Sequence, residues 1–164
     1  MASGSAGDAM ALGEAMIVAG IGCRRGASAT EIEAAIAAAV AQAGFAPAAI
    51  DAVATSAAKR DETGIAAAAS ALGVRLVLVP QRELETAGSR VVTRSQRVAV
   101  LTGVPSLAEA AALAAGGAAA RLIVPRIVVG RATCALAHVP EKWRPVFRQE
   151  HAPAQNKPSA GETP

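Results

Sequence analysis

The sequence predicts a three-layer α/β/α sandwich with a mostly parallel sheet of about five strands. Short apolar runs alternate with segments of helical period, and glycine or proline separates one from the next. Hydrophobic residues make up 52% of the 164 residues but aromatic residues only 2%. The core must therefore consist mainly of aliphatic side chains, which favour close packing of helices on a sheet. The length suits a single domain.

The first half of the chain alternates between strands and helices. The predicted elements are strands at 16–20, 50–55 and 74–79 and helices at 28–43 and 61–72. The first helix begins at a capping box formed by Ser28 and Glu31, and it ends at Gly44. Gly73 ends the second helix, and Pro80 ends the third strand. Repeated alternation indicates parallel strands joined by right-handed crossovers.

The second half is less regular. The predicted elements are short helices at 81–88 and 94–101, an Ala-rich helix from 106 to 116, and strands at 121–129 and 132–139. Ser106 and Glu109 form a second capping box at the start of the Ala-rich helix. A turn at Gly130-Arg131 joins the last two strands, so an antiparallel hairpin closes the sheet.

The domain is expected to span residues 15–147. Residues 1–14 and 148–164 are expected to be flexible tails, because neither shows the hydrophobic periodicity of a helix or a strand. The N-terminal segment has no basic flank before an apolar stretch, so it does not resemble a secretory signal. No apolar run approaches the roughly 20 residues that cross a bilayer. We therefore expect a cytoplasmic protein with no membrane partner, in which Cys23 and Cys134 are free thiols.

The basic residues occur as short pairs and give a net charge of only +3. This charge and the scarcity of aromatic residues argue against a nucleic-acid partner. His138, His151 and the two cysteines are dispersed along the chain, so no metal site and no cofactor are expected. These observations do not exclude small anionic ligands.

One glycine-rich stretch, GIGCRRGAS, follows the first strand. Gly20, Gly22 and Gly26 are predicted to lie where the first strand gives way to the first helix, and free N–H groups and the helix dipole attract anions there. Arg24 and Arg25 add forked donors suited to carboxylate or phosphate. The stretch predicts an anion site at the carboxyl edge of the sheet. The alternative is a tight turn with solvated arginines.

Known phosphate-binding motifs do not match this stretch. The spacing G-x-G-x-x-x-G differs from the dinucleotide fingerprint G-x-G-x-x-G, and no lysine follows Gly26 as it would in a P-loop. The alternative that the protein is a phosphate- or nucleotide-binding module is therefore supported only by the glycines.

The stretch GIGCRRGASATEIEAAI resembles the signature of the CobE proteins of cobalamin biosynthesis and of the C-terminal domain of CbiG, the cobalt-precorrin-5A hydrolase. Three further stretches resemble the family in the same order: AAKRDETGIAAAASALG, TGVPSLAEAAALAAGG and RLIVPRIVVGRATCALA. The resemblance covers roughly residues 16–138. One departure is Arg126, where many relatives carry a lysine.

The resemblance implies a function in the corrin pathway. CbiG carries additional N-terminal domains, so the chain is more similar to the stand-alone CobE of the aerobic route. The implied ligand is a polycarboxylated precorrin or corrinoid intermediate, bound by a carrier or accessory protein, and other corrin-pathway enzymes are further candidate partners. The implied alternative is a hydrolase that opens a ring lactone, as in CbiG. The sequence leaves open whether the protein is an enzyme.

The expected ligand-binding residues follow from the loop and the resemblance. They are Gly20, Gly22, Cys23, Arg24, Arg25, Gly26, Lys59, Arg60, Gly64, Gly103 and Ser106. Glu62, Asp61 and Cys23 are the candidate catalytic groups, because lactone opening needs a base or an activated water. Each has a structural alternative: Asp61 as a helix N-cap, Glu62 as a first-turn carboxylate and Cys23 as a packed thiol.

Overall fold

The computed structural model describes residues 16–91, 106–140 and 149–150. The strands are β1 (Met16–Cys23), β2 (Ala52–Ser56), β3 (Arg75–Val79), β4 (Arg121–Val129), β5 (Ala132–Val139) and β6 (Gln149–Glu150). The helices are α1 (Ala29–Ala43), α2 (Thr63–Leu72), α3 (Gln81–Ala87) and α4 (Leu107–Gly116). Three short 3-10 turns lie at Pro47–Ala49, Ala57–Lys59 and Gly88–Arg90.

The strands form one sheet in the order β4-β5-β1-β2-β3-β6. β1, β2 and β3 are parallel neighbours, whereas β5 pairs antiparallel with both β1 and β4. This arrangement confirms the predicted α/β fold, with parallel central strands and a closing hairpin. β6 pairs with β3 and lies within the predicted C-terminal tail.

Each face of the sheet carries its own hydrophobic core. On one face, α1 and α2 contribute residues such as Ile32, Ile36 and Ile65 against the strands. On the other face, α3 and α4 contribute residues such as Leu84 and Leu113. The predicted three layers are therefore present, and mainly aliphatic side chains fill the space between them.

β1 is longer than predicted, because it continues through Cys23 in its pairing with β5. Gly20 lies in a strand, as the prediction at 16–20 has it, but Gly22 also lies in β1 and not in the turn that was expected after residue 20. A Cβ at Gly20 would lie 2.0 Å from the carbonyl oxygen of Ala108 in α4. The glycine is needed there because the helix backbone packs directly on the strand.

The N-terminal caps of the helices agree only in part with the predicted caps. The capping box of Ser28 and Glu31 is confirmed, with both of its hydrogen bonds present. Glu62, and not Asp61, stands at the N-cap of α2, and its side chain makes no capping bond there. Ser106 Oγ accepts the Glu109 N–H at 3.4 Å, while Glu109 Oε2 accepts the N–H of Arg126 in β4 at 2.8 Å.

Some predicted features lie outside the described residues, namely the helix at 94–101, Gly103, His151 and most of both tails. Among the helices that are described, none has the length and apolar character needed to span a membrane.

Candidate functional site

An open groove lies between the loop that follows β1 and the start of α2. Its volume is about 760 Å³, and its lining residues are Arg25, Gly26, Ala27, Ser28, Ala29, Ala58, Asp61, Glu62, Thr63, Gly64 and Ala67. The two walls follow the carboxyl ends of the adjacent parallel strands β1 and β2. This is the edge at which open α/β sheets bind ligands.

The two walls approach each other at Gly64. A Cβ at this position would lie 2.3 Å from the carbonyl oxygen of Ala27 and 3.2 Å from the amide nitrogen of Ala29. No side chain fits there, so Gly64 lets the start of α2 pack against the start of α1. Gly64 lines the groove, and the close packing explains why glycine stands there. Its contact with a ligand stays a prediction.

The backbone N–H and the carbonyl oxygen of Gly26 each form a hydrogen bond to a side chain. Glu62 Oε1 accepts the Gly26 N–H at 2.9 Å, and Arg131 Nη2 donates to the Gly26 carbonyl oxygen at 3.3 Å. Gly26 has a φ of 81°, a left-handed conformation that favours glycine. The Gly26 N–H is thus engaged by a carboxylate, and Gly20 and Gly22 lie within β1, so these three glycines do not form the loop of free N–H groups that was expected for the anion site.

Arg131 is a residue beside the groove that sequence reasoning missed, and it contacts the loop that follows β1. It lies in the turn between β4 and β5, and its carbonyl oxygen accepts the Arg24 N–H at 2.9 Å. Its guanidinium also forms an ion pair with Glu31, with Nη2 and Oε1 separated by 3.1 Å. The hydrogen bond from Arg131 lowers the pKa of the Glu31 carboxyl. The sequence predicted the turn itself. The position of the turn beside the loop that follows β1 depends on the antiparallel pairing of β5 with β1.

The four predicted basic residues do not all have the same environment. Lys59 is partly buried, and its Nζ donates to the Cys23 carbonyl oxygen at 2.8 Å, so this amine links the two loops. Arg24, Arg25 and Arg60 are exposed. Arg25 is the basic residue of this set that lines the groove, opposite Asp61 and Glu62. The groove itself is therefore mixed in charge, and the exposed arginines lie on and beside its rim.

Both cysteines have thiols that resist ionisation. Cys23 is half-buried at the end of β1, and burial raises the pKa of its thiol despite the opposing effect of the Lys59 charge. Cys134 is fully buried in β5, and burial strongly raises the pKa of its thiol. These shifts favour the packed-thiol interpretation of Cys23 over the nucleophile interpretation.

Three of the predicted ligand-binding residues lie away from the groove. Gly20 and Gly22 face α4 on the opposite side of the sheet, and Ser106 is buried as the N-cap of that helix. Thr133, from the closing hairpin, donates through Oγ1 to the Gly22 carbonyl oxygen at 3.2 Å. Within the ranges that the structure describes, no cluster of three or more His, Cys, Asp or Glu side chains could hold a metal ion.

The chain matches the family described as Cobalamin synthesis G C-terminus over residues 17–137. It belongs to this family. The match includes both walls of the groove, the Arg131 turn and most of the sheet. Protein CobE from Sinorhizobium sp is 40% identical over 121 residues, which cover 74% of this chain and 79% of that protein.

Solved structures of cobalamin biosynthesis proteins have a similar fold. The crystal structure of CobE, a protein from the cobalamin biosynthetic pathway, has a TM-score of 0.71 at 35% identity and covers 76% of this chain and 93% of that one. Cobalamin biosynthesis protein chiG from Agrobacterium tumefaciens has a TM-score of 0.60 at 45% identity, covering 74% of this chain and 97% of that one.

A third similar structure belongs to a longer chain. A putative cobalamin biosynthesis protein G homolog from Sulfolobus solfataricus has a TM-score of 0.55 at 26% identity, and the match covers 76% of this chain but 36% of that one. Together these relatives place the protein in the cobalamin biosynthesis pathway.

Proposed function

We propose that the protein binds a polycarboxylated corrinoid intermediate as a carrier or accessory protein of the aerobic cobalamin pathway. The observation that carries this proposal is the exposed pair Arg24 and Arg25, which stands on a loop fixed beside the groove. Corrinoid intermediates are wide apolar rings fringed by carboxylates. A protein that binds them needs apolar contact for the ring and basic groups for the fringe.

The groove supplies both kinds of contact. Ala27, Ala29, Ala58 and Ala67 provide small apolar side chains in its lining. Arg25 lines the rim, and arginine suits two-pronged contacts with carboxylates. We expect one edge of the ring to enter the groove, while carboxylates outside it contact the exposed Arg24 and Arg60.

A lactone hydrolase is the second candidate. The observation that favours it is the presence of Asp61 and Glu62 in the same lining as Arg25. A carboxylate there could act as a general base toward water. However, one oxygen of Glu62 already accepts the Gly26 N–H, which gives this carboxylate a structural task. Asp61 is exposed and is the other candidate base.

The test is a binding titration with two matched probes. The first is a corrin polycarboxylate prepared by hydrolysing the side-chain amides of cobalamin, and the second is its uncharged methyl ester. We expect the polycarboxylate to co-elute with the protein as a coloured complex and the ester to bind at least about tenfold more weakly, because each charge-assisted contact contributes about 1.5–3 kcal/mol. Equal affinity for the two probes would contradict the role of the arginines.

A turnover assay separates the carrier from the hydrolase. A lactone-bearing precorrin intermediate is incubated with the protein and followed by mass spectrometry. A carrier leaves the mass of the ligand unchanged. Multiple turnovers by the wild-type protein would establish the hydrolase instead.

A further inference from the structure

The loop of residues 24–26, which carries the twin arginines, is held by a residue that comes more than 100 positions later in the chain. Arg131 makes three kinds of contact with it or with its flank. Its backbone carbonyl accepts the Arg24 N–H, its Nη2 donates to the Gly26 carbonyl oxygen, and its guanidinium pairs with Glu31 at the start of α1.

Glu31 connects this contact to the helix that follows. Its Oε1 accepts both the Ser28 N–H at 2.9 Å and Arg131 Nη2 at 3.1 Å, while Oε2 accepts Arg131 Nε at 3.3 Å. The pairing with Arg131 is thus two-pronged. The same carboxylate caps the helix and anchors the guanidinium, so the loop is fixed between the hairpin turn and α1.

The geometry of Arg131 differs from that of a ligand-binding arginine. It does not belong to the lining of the groove, and its nitrogens Nε and Nη2 already donate to Glu31 and Gly26. Arg25 by contrast lines the groove.

We infer that Arg131 is a positioning residue, which fixes the conformation of the loop that presents Arg24 and Arg25 to a carboxylate ligand. The inference rests on the proposed function for the identity of the ligand. Its structural part, the fixing of the loop, can be measured without any ligand.

The first arm of the test is amide hydrogen exchange of the free protein, followed by NMR. In Arg131→Gln, the Arg24 and Gly26 N–H groups should exchange about three- to fivefold faster, as expected for the loss of an exposed ion pair and its hydrogen bonds. Ile36, in the middle of α1, should exchange as in the wild type. Arg121→Gln, which changes an exposed arginine at the far end of β4, is the matched control and should leave all three unchanged.

Two further variants identify the pair as the cause. Glu31→Gln retains an oxygen for the Ser28 N–H and so preserves the cap, but it removes the charge that anchors Arg131. It should accelerate exchange of the loop amides, but by no more than Arg131→Gln, which also loses the bond to the Gly26 carbonyl oxygen. The double variant should be no worse than Arg131→Gln alone, since that single variant has already lost the ion pair.

The second arm is titration of the corrin polycarboxylate at low and high sodium chloride. A positioning residue contributes no charge to the ligand contact. In Arg131→Gln the affinity should therefore fall about three- to fivefold, with the salt dependence of Kd unchanged. A flatter salt dependence would show that Arg131 binds the ligand directly, and this result would overturn the inference.

The two arms fail independently. If the loop amides of Arg131→Gln exchange at the wild-type rate, the inference is wrong whatever the affinity does. If the wild-type protein does not bind the corrin polycarboxylate, the proposed function is wrong, and the exchange arm still decides whether Arg131 fixes the loop.

Discussion

Glu62 and Gly26 are joined by a 2.9 Å hydrogen bond between the carboxylate Oε1 and the backbone N–H, across 36 positions of sequence. The bond connects the N-cap of α2 to the arginine loop. It means that the carboxylate considered as a catalytic base also holds one wall of the groove against the other.

Variants of Glu62 separate these two tasks. Glu62→Ala removes the acceptor of the Gly26 N–H and should lower the free energy of unfolding by about 1 kcal/mol, while weakening corrinoid binding severalfold. Glu62→Gln keeps an acceptor oxygen and should leave stability and binding close to wild type. Urea unfolding and ligand titration measure both effects. If the wild type turns over a lactone substrate and Glu62→Gln binds it without turnover, then Glu62 is a general base.

Removal of both loop arginines tests the basic rim. Arg24→Ala combined with Arg25→Ala should weaken binding of a corrin polycarboxylate by about 1.5–3 kcal/mol per lost contact, because charge-assisted hydrogen bonds are lost. Raising sodium chloride toward 1 M, where the Debye length is about 3 Å, should weaken wild-type binding far more than that of the double variant. The melting temperature should change little. Normal binding by the double variant would show that the arginines are only solvated turn residues.

Gly64→Ala tests the close approach of α2 to the first loop. The added methyl would meet the Ala27 carbonyl oxygen at 2.3 Å, and backbone cannot move aside cheaply. We expect the free energy of unfolding to fall by about 1–3 kcal/mol. Ser70→Ala, an exposed change on the same helix, is the control and should stay within about 0.5 kcal/mol of wild type. Equal stability of the two variants would contradict the packing described for this contact.

Cys23 should be a slow nucleophile. Its pKa is raised above the ordinary value of 9.0, so a smaller fraction of thiolate is present near neutral pH than for a free cysteine. Iodoacetamide should therefore label Cys23 more slowly than it labels N-acetylcysteine, and the rate should rise with pH into the alkaline range. Cys134 should stay unlabelled until the protein unfolds. Labelling of Cys23 faster than the free thiol at neutral pH would restore the nucleophile interpretation.

Acid should weaken the contact between Glu31 and Arg131. The folded protein holds the pKa of Glu31 below its ordinary value of 4.5, so this pair stabilises the fold above that pH and is lost as the pH falls through the lower, folded-state pKa. Urea unfolding of wild type and Glu31→Gln at several pH values should show a stability difference near neutral pH that disappears in acid. A difference that persists in strong acid would assign it to another cause.

The sequence by itself determined the local features of this protein. The Ser28 and Glu31 capping box, the helix end at Gly44 and the hairpin turn at Gly130 are each encoded within a few residues, so periodicity and turn chemistry predicted them. The order of alternating elements likewise predicted the layered α/β fold. The motif after the first strand indicated the family because its residues are contiguous.

Tertiary structure decided which of the predicted residues share a site. β1 extends through Cys23 because β5 pairs along its whole length, and this places Gly20 and Gly22 beneath α4 instead of in the groove. Arg131 reaches Glu31 across 100 positions only because the hairpin lies next to β1 in the sheet. Such contacts depend on strand order and register, which are set by the packing of the whole core and not by any local stretch of sequence.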